Sequence, residues 1–580
     1  MLNENGHPLW RSTPPRNGQQ DEQQKTNVQP SGSPTFLPTE FKIGGNAGAP
    51  LTRAENPDGK KVISNGCSRI HRILTDEERF RGCKTRWTEL EVHGRVKNIS
   101  SGLFEMRHLT ALFLGNNQLQ VIPSGISQLC NLTLLDLSHN KIRNLPKEIG
   151  DMISLCHLYL NSNQLRVLPY ELGKLFRLQT FALAHNPLSP EISKIYQDLN
   201  GDKKLLQYLL DHLALNIIPP PERNWIAARN IDPDKPIATF TILCYNVLCD
   251  KYATSNLYSY CPQWALNWEC RKQYILKEIF NYSADIITLQ EVETEQFKTL
   301  FQPKFEMERN QPIEFTKVAI EKAQAHENML NRVMPRDNIA LAAVLRIKDN
   351  LYGPHRVPPN TNDNVSGSLL VVCTAHIHWD PEFCDVKLIQ SMMLVHELQK
   401  LLDIVALKYS LNVQQIPVLI CGDFNSLPDS GVVEFLSKGA ISKDHPDLKS
   451  FREESCLSCL SSDLKDQRNF THSLRLDSAV DTLVKNAQIP YTNYTLDFKG
   501  TIDYIFATPQ SLARLGTLGP LDSTWVQQNK FVGFPQPHVP SDHIPIMAQY
   551  AVIPASHQRS LPPIQHYGSS HSGGFGAIGR

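Results

Sequence analysis

Residues 416–430 read IPVLICGDFNSLPDS, and this stretch decides how the larger part of the chain is interpreted. Its apolar run 418–421 ends in Gly422 and Asp423, and Asn425 follows two residues later. A short apolar run bounded by turn-forming residues is typical of a buried strand. The residues after the run also favour a turn, which is the ordinary alternative for this stretch taken alone. The choice depends on whether other strands end in the same way.

Other apolar runs share this design, since each carries an acid, an amide or a histidine at or near one end. They are 238–248 with Asn246, 284–293 with Glu291, 369–381 with His376 and His378, 500–507 with Asp503, and 539–550 with Asp542 and His543. A turn or a surface position explains most of these groups singly, but all of those separate explanations would have to hold at once. Strands that alternate with helical stretches predict an α/β domain whose loops gather these groups at one site.

Binding of a shared metal ion would explain why several acids are expected at one site. Burying one carboxylate without a partner is costly, whereas several carboxylates stabilise one cation. Glu291 and Asp423 supply hard oxygen ligands that suit Mg²⁺, with Mn²⁺ as the alternative ion. The Cys/His spacing typical of a zinc site does not occur in the sequence. Histidine and asparagine beside a magnesium site predict cleavage of a phosphate ester.

A repeat precedes this domain. The segments LTALFLGNNQLQVIP, LTLLDLSHNKIRNLP, LCHLYLNSNQLRVLP and LQTFALAHNPLSP align without gaps, and their asparagines recur every 23 residues at Asn117, Asn140, Asn163 and Asn186. The pattern LxxLxLxxNxLxxLP is that of a leucine-rich repeat. One unit cannot bury its own apolar face, so the units stack into a solenoid. Residues 90–100 read as a degenerate first repeat that caps the stack.

The concave strand face of the solenoid is the predicted partner surface. Its exposed positions are expected to be Phe113, Asp136, Tyr159 and Phe181. Aromatic residues at equivalent positions are suited to anchoring a protein partner. The alternative, that these side chains only fill space between repeats, stays open.

Composition bounds the rest of the chain. Its 58 Lys+Arg balance 58 Asp+Glu, so contact with a nucleic acid depends on local patches. No apolar run reaches the roughly 18–20 residues that span a bilayer, and the polar N-terminus is no secretory signal, which predicts an intracellular protein without a membrane partner. The predicted organisation is a disordered segment 1–80, a leucine-rich-repeat domain 86–212, a proline-rich linker 213–236, an α/β domain 237–552 and a disordered tail 553–580.

The α/β part resembles a known family. YNVL, LQEVE, AHIHWDP, GDFNSLPDSGVVEF, YTNYTLDFKGTIDYIF and PSDH are similar to motifs of the endonuclease/exonuclease/phosphatase fold, a two-layered β-sandwich with flanking helices. CDKYAT, CPQWALNW and LNRVM, behind leucine-rich repeats, resemble the carbon-catabolite-repressor-four type deadenylases. The resemblance covers residues 86–552. It implies a Mg²⁺-dependent 3′–5′ exoribonuclease of the NOT deadenylase complex that shortens poly(A) tails, releases 5′-AMP, and promotes mRNA decay and translational repression.

The resemblance also implies roles for single residues. Glu291, Asp423 and Asp542 would hold the metal; Asp423 would activate water, Asn425 would orient it, and His543, oriented by Asp503, would stabilise the phosphate charge. Asn246, His376, Pro381, Asn425, Asn493 and Phe498 would bind substrate, with Pro381, Asn493 and Phe498 around the terminal adenosine. An aromatic ring and an amide suit a base, because the ring stacks on it and the amide reads its edge. The repeats would bind a second deadenylase subunit, in the cytoplasm and the nucleus.

One region departs from the family. A strand expected between Glu291 and His376 is not recognisable in 300–350, where FTKVAI is the nearest candidate. Its loss is expected to open sheet edges. Two alternatives to the deadenylase therefore stand: a catalytically impaired form that acts as a repeat-domain binding subunit, and another phosphodiesterase of the same fold, acting on DNA or on a small phosphorylated ligand.

Overall fold

The computed structural model describes residues 88–214, 217–228, 238–304, 311–322, 326–347, 369–453, 455–480 and 491–553. The predictions of disorder for 1–80 and for 553–580 fall on residues outside this set, apart from Ile553. All described residues belong to one compact unit, Gly82–Arg580. None of the helices among them has the length and apolar character needed to cross a membrane.

The repeats form a parallel sheet in the order β1-β2-β3-β4-β5. Its strands are β1 (Glu89–Glu91), β2 (Ala111–Phe113), β3 (Leu134–Asp136), β4 (His157–Tyr159) and β5 (Thr180–Ala182). The degenerate first repeat takes part as predicted, because β1 pairs in parallel with β2. Helices α1 (Pro190–Gln197) and α2 (Gly201–Ala214) close the far end of the stack.

A ladder of buried asparagines holds the repeats in register. The Oδ1 of Asn140 accepts the backbone N–H of Leu119 at 3.0 Å, and its Nδ2 donates to the carbonyl of Leu114 at 2.9 Å. Equivalent bonds to the preceding repeat are made by Asn163 and Asn186. Each asparagine therefore satisfies backbone groups that the tight bend would leave unpaired inside the stack.

The prediction for Phe181 is wrong. Phe181 is buried and occupies the central position of β5, in register with the core residue Leu158 of β4. In LxxLxLxxN it takes the place of an inward leucine, so the residue on the concave face is Ala182 instead. Tyr159 and Asp136, at the ends of their strands, are half-buried on that face.

The rest of the described chain contains two main sheets that pack face to face. One has the order β6-β19-β20-β7-β8 and the other β15-β18-β12-β11-β10-β9, and two short ribbons accompany them, β13-β14 and β16-β17. The strands are β6 (Trp225–Ala227), β7 (Thr239–Asn246), β8 (Ile286–Gln290), β9 (Gln311–Glu314), β10 (Ile339–Arg346), β11 (Leu369–His376), β12 (Val418–Asp423), β13 (Ala440–Ser442), β14 (Asn469–Thr471), β15 (Asp477–Ser478), β16 (Asn493–Tyr494), β17 (Lys499–Gly500), β18 (Asp503–Ala507), β19 (Leu512–Leu518) and β20 (Ile546–Val552).

Helices accompany the two sheets, and the two longest pack against them. The helices are α3 (Gln263–Leu266), α4 (Trp268–Tyr282), α5 (Thr294–Gln296), α6 (Phe315–Lys322), α7 (Cys384–Tyr409), α8 (Gly431–Lys438) and α9 (Ser523–Gln528). Residues from both sheets and from α7 share one apolar core. The parallel pairs β7–β8 and β11–β12 bring the carboxyl ends of four strands to one edge of the sandwich. This arrangement agrees with the predicted fold.

The interpretation of FTKVAI as a strand is wrong. Phe315–Lys322 is a helix, and it buries Phe315, Val318 and Ala319. A spacing of three and four residues between apolar positions is helical, whereas a half-buried strand alternates. In the described residues the two main sheets end at β8 and at β9 on this side, so both outer strands are sheet edges there.

The repeats pack against the sandwich. Gln263 is the first residue of α3, and its backbone N–H donates to the Oδ1 of Asp211 in α2 at 2.9 Å. The Lys530 ammonium lies 2.5 Å from the Asp151 carboxylate of the repeats. Phe176 also contacts the edge of Tyr260 with ring centroids 6.0 Å apart.

Candidate active site

Asp423 is the centre of the site, at the end of β12. Its side chain is almost fully buried, and its Oδ1 accepts the backbone N–H of Asn425 at 2.9 Å. The Nε2 atoms of His376 and His543 both lie 3.5 Å from its Oδ2. Burial raises the pKa of Asp423, and the charge of His543 offsets only part of that rise. The carboxylate thus lies where an additional cation would stabilise it.

Gly422 is required for this geometry. Its φ is +149°, and a Cβ at this position would lie 1.9 Å from the carbonyl oxygen of Ala375 in β11. Only glycine lets the two strands approach so closely while β12 delivers Asp423 to the site.

Asn246 joins two of the acids. It is fully buried at the end of β7, and its Nδ2 donates to Glu291 Oε1 and to Asp423 Oδ2, each at 3.0 Å. Glu291 Oε2 accepts the backbone N–H of Cys249 at 2.8 Å. Glu291 lies one residue beyond β8 with a φ of +58°, a left-handed conformation that is uncommon for glutamate. Such strain persists where surrounding contacts hold it, which is frequent at functional sites.

His543 and Asp503 form a buried pair. The Nδ1 of His543 donates to Asp503 Oδ2 at 2.9 Å, which leaves Nε2 facing Asp423. Asp503 begins β18 directly opposite Asp423 in the antiparallel register. Burial alone lowers the pKa of His543, but the charges of Asp503, Asp423 and Asp542 outweigh this effect and raise the pKa well above its usual value. The imidazole is therefore held as a cation that faces the site.

Asp542 is held by side chains from two other segments of the chain. Its Oδ2 accepts the hydroxyl of Tyr258 at 2.9 Å and the Nδ2 of Asn493 at 3.3 Å. Burial raises the pKa of Asp542, although the charge of His543 opposes the rise. Asn493 begins the β16–β17 hairpin, and Phe498 stands 37% exposed on its turn.

The structure brings the predicted residues into one region. A groove of about 2080 Å³ is lined by nine of them: Glu291, His376, Pro381, Asp423, Asn425, Asn493, Phe498, Asp542 and His543. Asn246 and Asp503 do not line the groove but hold the side chains that do. One ligand atom each from Asp423, Asp503 and His543 lies within 4.8 Å of the others, the spacing of a metal site, but an imidazole held as a cation has no lone pair to offer an ion. This grouping shares only Asp423 with the predicted metal ligands Glu291, Asp423 and Asp542.

Several residues at the site were missed by the sequence reasoning. Lys387 of α7 is buried and donates from Nζ to the Asn425 carbonyl at 2.7 Å, which fixes the loop after Asp423. Tyr258 supports Asp542 as described above. Neither residue follows a strand, and the stretch CPQWALNW near Tyr258 carried only the family resemblance, so the sequence offered no chemical signal for them.

Arg271 is another missed residue, and it ties the end of α3 to two loops. Its side chain is fully buried in α4. Nε donates to the carbonyl of Leu266, and Nη1 donates to those of Val247, Leu248 and Pro540, at distances between 2.9 and 3.1 Å. Because Val247 follows Asn246 and Pro540 precedes the 541–543 loop, Arg271 fixes the backbone on two sides of the site.

Comparison with known proteins places these features in a family. Residues 243–543 match the model of the Endonuclease/Exonuclease/phosphatase family, and residues 92–142 match that of the Leucine rich repeat. The chain is 46% identical over 542 residues to "CCR4-NOT transcription complex subunit 6-like" of Danio rerio, covering 86% of this chain and 94% of the relative.

Two further similarities extend the comparison. The chain is 39% identical over 573 residues to "CCR4-Not complex 3′-5′-exoribonuclease subunit Ccr4" of Mycosarcoma maydis, covering 87% of this chain and 79% of the relative. Among solved structures, ANGEL2, described as a 2′,3′-cyclic phosphatase in complex with adenosine-2′,3′-vanadate, superimposes with a TM-score of 0.43 at 23% identity. That superposition covers 57% of this chain and 99% of the other.

Proposed function

This chain belongs to the Ccr4-type branch of the endonuclease/exonuclease/phosphatase family, and from that premise we propose that it is a 3′–5′ exoribonuclease that shortens poly(A) tails. The acting form would be a subunit of a CCR4-Not complex, in which tail shortening promotes mRNA decay and translational repression. The proposed localisation is both the cytoplasm and the nucleus. Fluorescence imaging of the tagged chain tests it.

The observation that carries the proposal is the buried cluster around Asp423. Two histidine nitrogens and an asparagine amide surround one carboxylate at the carboxyl ends of β7, β11 and β12. Phosphoryl transfer needs groups that position the phosphate and stabilise its charge, and this cluster supplies both. It is intact even though FTKVAI is helical, which favours the enzyme over the impaired binding subunit.

The donor set fits a divalent cation, for which Mg²⁺ is proposed and Mn²⁺ is the alternative. Glu291, Asp423 and Asp542 would hold it, because their oxygens are hard ligands. Burial raises the pKa of both Asp423 and Asp542, the situation that a bound cation relieves. When bound, the ion supplies Lewis-acid stabilisation of the phosphate oxygens.

The residues of the chain divide the remaining work. Asp423 accepts the proton of the attacking water, whose oxygen bonds to phosphorus as the bond to the 3′ oxygen of the penultimate ribose breaks; that 3′ oxygen takes up a proton from solvent. Asn425 orients that water, and His376 contacts the phosphate. The raised pKa of His543 keeps it cationic against the developing charge, and Asp503 fixes its orientation. The products are 5′-AMP and an RNA shortened by one nucleotide.

The poly(A) preference is assigned to the β16–β17 hairpin with Pro381. Phe498 is positioned to stack on the terminal adenine, because its ring is exposed on the groove. Asn493 offers an amide for the edge of the base. Another phosphodiesterase of this fold would need neither group, so comparison of RNA with DNA of the same sequence separates the two functions.

The leucine-rich repeats would bind a second deadenylase subunit through their concave face. Tyr159 and Asp136 are half-buried there and provide an aromatic anchor beside a charge. Co-purification of the full chain with that subunit, compared with its Tyr159→Ala variant, tests this part of the proposal.

The decisive experiment is cleavage of a 5′-labelled RNA that ends in a run of adenosines. The full chain with Mg²⁺ should give a ladder of single-nucleotide steps and free 5′-AMP, and EDTA should stop both. Asp423→Asn is the matched inactive control. No shortening by the wild-type chain, beside an active Ccr4-type relative, refutes the proposed activity and leaves the binding-subunit alternative.

A further inference from the structure

Trp379 is an exposed tryptophan beside the candidate site. It lies on the loop after β11, three residues beyond His376, and 69% of its surface is accessible. Tryptophan is usually largely buried, so an exposed one on the wall of a groove calls for an explanation. No role in the proposed mechanism uses it.

Trp379 belongs to a continuous wall of aromatic and basic side chains. Its ring centroid is 6.2 Å from that of His378, and His378 meets the edge of Phe383 at 5.4 Å. The guanidinium of Arg336 lies over the ring of Phe383, 4.4 Å from its centroid. Trp379, His378 and Arg336 all line the groove that holds Asp423.

Arg336 has unused hydrogen-bonding capacity. Among the described residues its guanidinium makes one long bond, from Nε to the Arg332 carbonyl at 3.4 Å, and no carboxylate pairs with it. The neighbouring Arg332 differs, because it binds Asp385 through two bonds of 2.8 and 2.9 Å. Arg336 therefore presents a charge to the groove, whereas Arg332 is committed to the protein.

His378 also has a ring nitrogen without a hydrogen-bond partner among the described residues. The residue is 94% buried, and that nitrogen is Nε2. Burial lowers the pKa of His378 to about 4, and the charge of Arg336 acts in the same direction. The ring is therefore neutral at neutral pH, and the positive charge of this wall comes from Arg336.

The wall adjoins residues assigned to the phosphate and to the terminal adenosine, which line the same groove. Asn493 contacts Asp542 on the hairpin side, whereas His376 contacts Asp423 from the β11 side. Three residues span at most about 11 Å, so Trp379 lies within that distance of His376 along the chain. Because Trp379 also precedes Pro381 by two residues, the wall lies next to the place assigned to the terminal adenosine, where the following nucleotide of an RNA enters the groove.

We propose that Trp379 and Arg336 form a second nucleotide subsite, in which Trp379 stacks on the base next to the terminal adenosine and Arg336 contacts its phosphodiester. Exposed aromatic rings with nearby cations are the usual elements of single-strand binding. The inference rests on the proposed function, and it adds a requirement for at least two ordered nucleotides.

The first test measures binding in the full chain. The probe is a fluorescent oligoadenylate whose terminal linkage is a phosphorothioate, followed by anisotropy. Trp379→Ala should weaken binding about tenfold, Trp379→Phe should restore most of the affinity, and Arg336→Gln should weaken binding and reduce its salt dependence. Tyr170→Ala, an exposed aromatic on the repeats, is the matched control and should bind as the wild type.

The second test locates the subsite. An abasic nucleotide in the penultimate position should weaken wild-type binding as much as Trp379→Ala does, and should weaken the variant no further. Unchanged melting temperatures exclude a folding defect, because Trp379 is largely exposed. Equal binding by Trp379→Ala and wild type, or equal further loss with the abasic probe in both, overturns the subsite.

The two proposals fail differently. Wild-type chain that shortens RNA with no effect of Trp379 or Arg336 refutes the subsite alone. Wild-type chain that binds oligoadenylate through Trp379 but does not shorten RNA supports the subsite and refutes the activity. Absence of oligoadenylate binding refutes both.

Discussion

Replacement of Arg271 is expected to damage both stability and catalysis. Arg271→Met keeps the apolar volume but removes the donors for four carbonyl groups, those of Leu266, Val247, Leu248 and Pro540. A buried acceptor left without a partner costs about 1–3 kcal/mol. Two effects reduce the total. The variant has no buried guanidinium to desolvate, and water can enter beside the loops, which are held less tightly. The expected net loss of stability is about 3–5 kcal/mol, because several buried acceptors lose their donor at once.

Thermal unfolding of the full chain measures this loss. At about 2 °C per kcal/mol for a large domain, the nuclease transition should fall by roughly 6–10 °C. Cleavage should fall more than tenfold at temperatures where the variant is still folded, because the loops that carry Asn246 and His543 lose their common anchor. Asp250→Asn is the matched control: Asp250 is about half exposed and 3.7 Å from Arg271, so its loss should cost no more than about 1 kcal/mol. A transition of Arg271→Met within about 2 °C of wild type would show that these four hydrogen bonds contribute little to stability.

Three further predictions concern residues of the site, and a fourth concerns the repeats. Glu291→Ala should abolish metal-dependent cleavage without unfolding the chain, since it removes an oxygen ligand; unchanged cleavage at limiting Mg²⁺ would exclude Glu291 from the site. Asp503→Asn should lower the pKa of His543, so the loss of kcat/KM on the alkaline side should begin at lower pH; an unmoved alkaline limb contradicts this pairing. Phe498→Ala should weaken poly(A) binding by about 1–3 kcal/mol and poly(U) binding by less, whereas an equal loss for both with a lowered melting temperature would make Phe498 structural. Tyr159→Ala should release the partner subunit while RNA cleavage persists, and retained co-purification would contradict the docking role.

Much of the candidate site was predictable because its residues end strands. Asn246, His376 and Asp423 are the last residues of β7, β11 and β12, and parallel strands bring such ends to one edge. The repeats were predictable for a similar reason, since Asn140 and its equivalents recur at a fixed period and satisfy the same backbone groups in every unit. Periodicity and strand ends are local properties, and a single sequence displays them directly.

Register and long-range contacts were decided by the tertiary structure. Phe181 was misplaced because an aromatic residue stands where the pattern expects an inward leucine, and only packing against Leu158 settles its face. The FTKVAI segment reads as strand or helix over so short a run, and burial of Phe315 against the core selects the helix.

The sequence alone determined three things: the solenoid, the strands that carry the candidate site residues, and oxygen as the expected ligand atom for a metal ion. The tertiary structure decided which atoms meet: the amide of Asn246 between two carboxylates, and Arg271 among four carbonyls from the end of α3 and two loops. It also decided the left-handed backbone of Glu291 and Asn425, which aims their side chains. These contacts join residues far apart in the chain, up to 269 positions for Arg271 and Pro540. Their energy depends on burial and distance in space, quantities that spacing along the sequence does not encode.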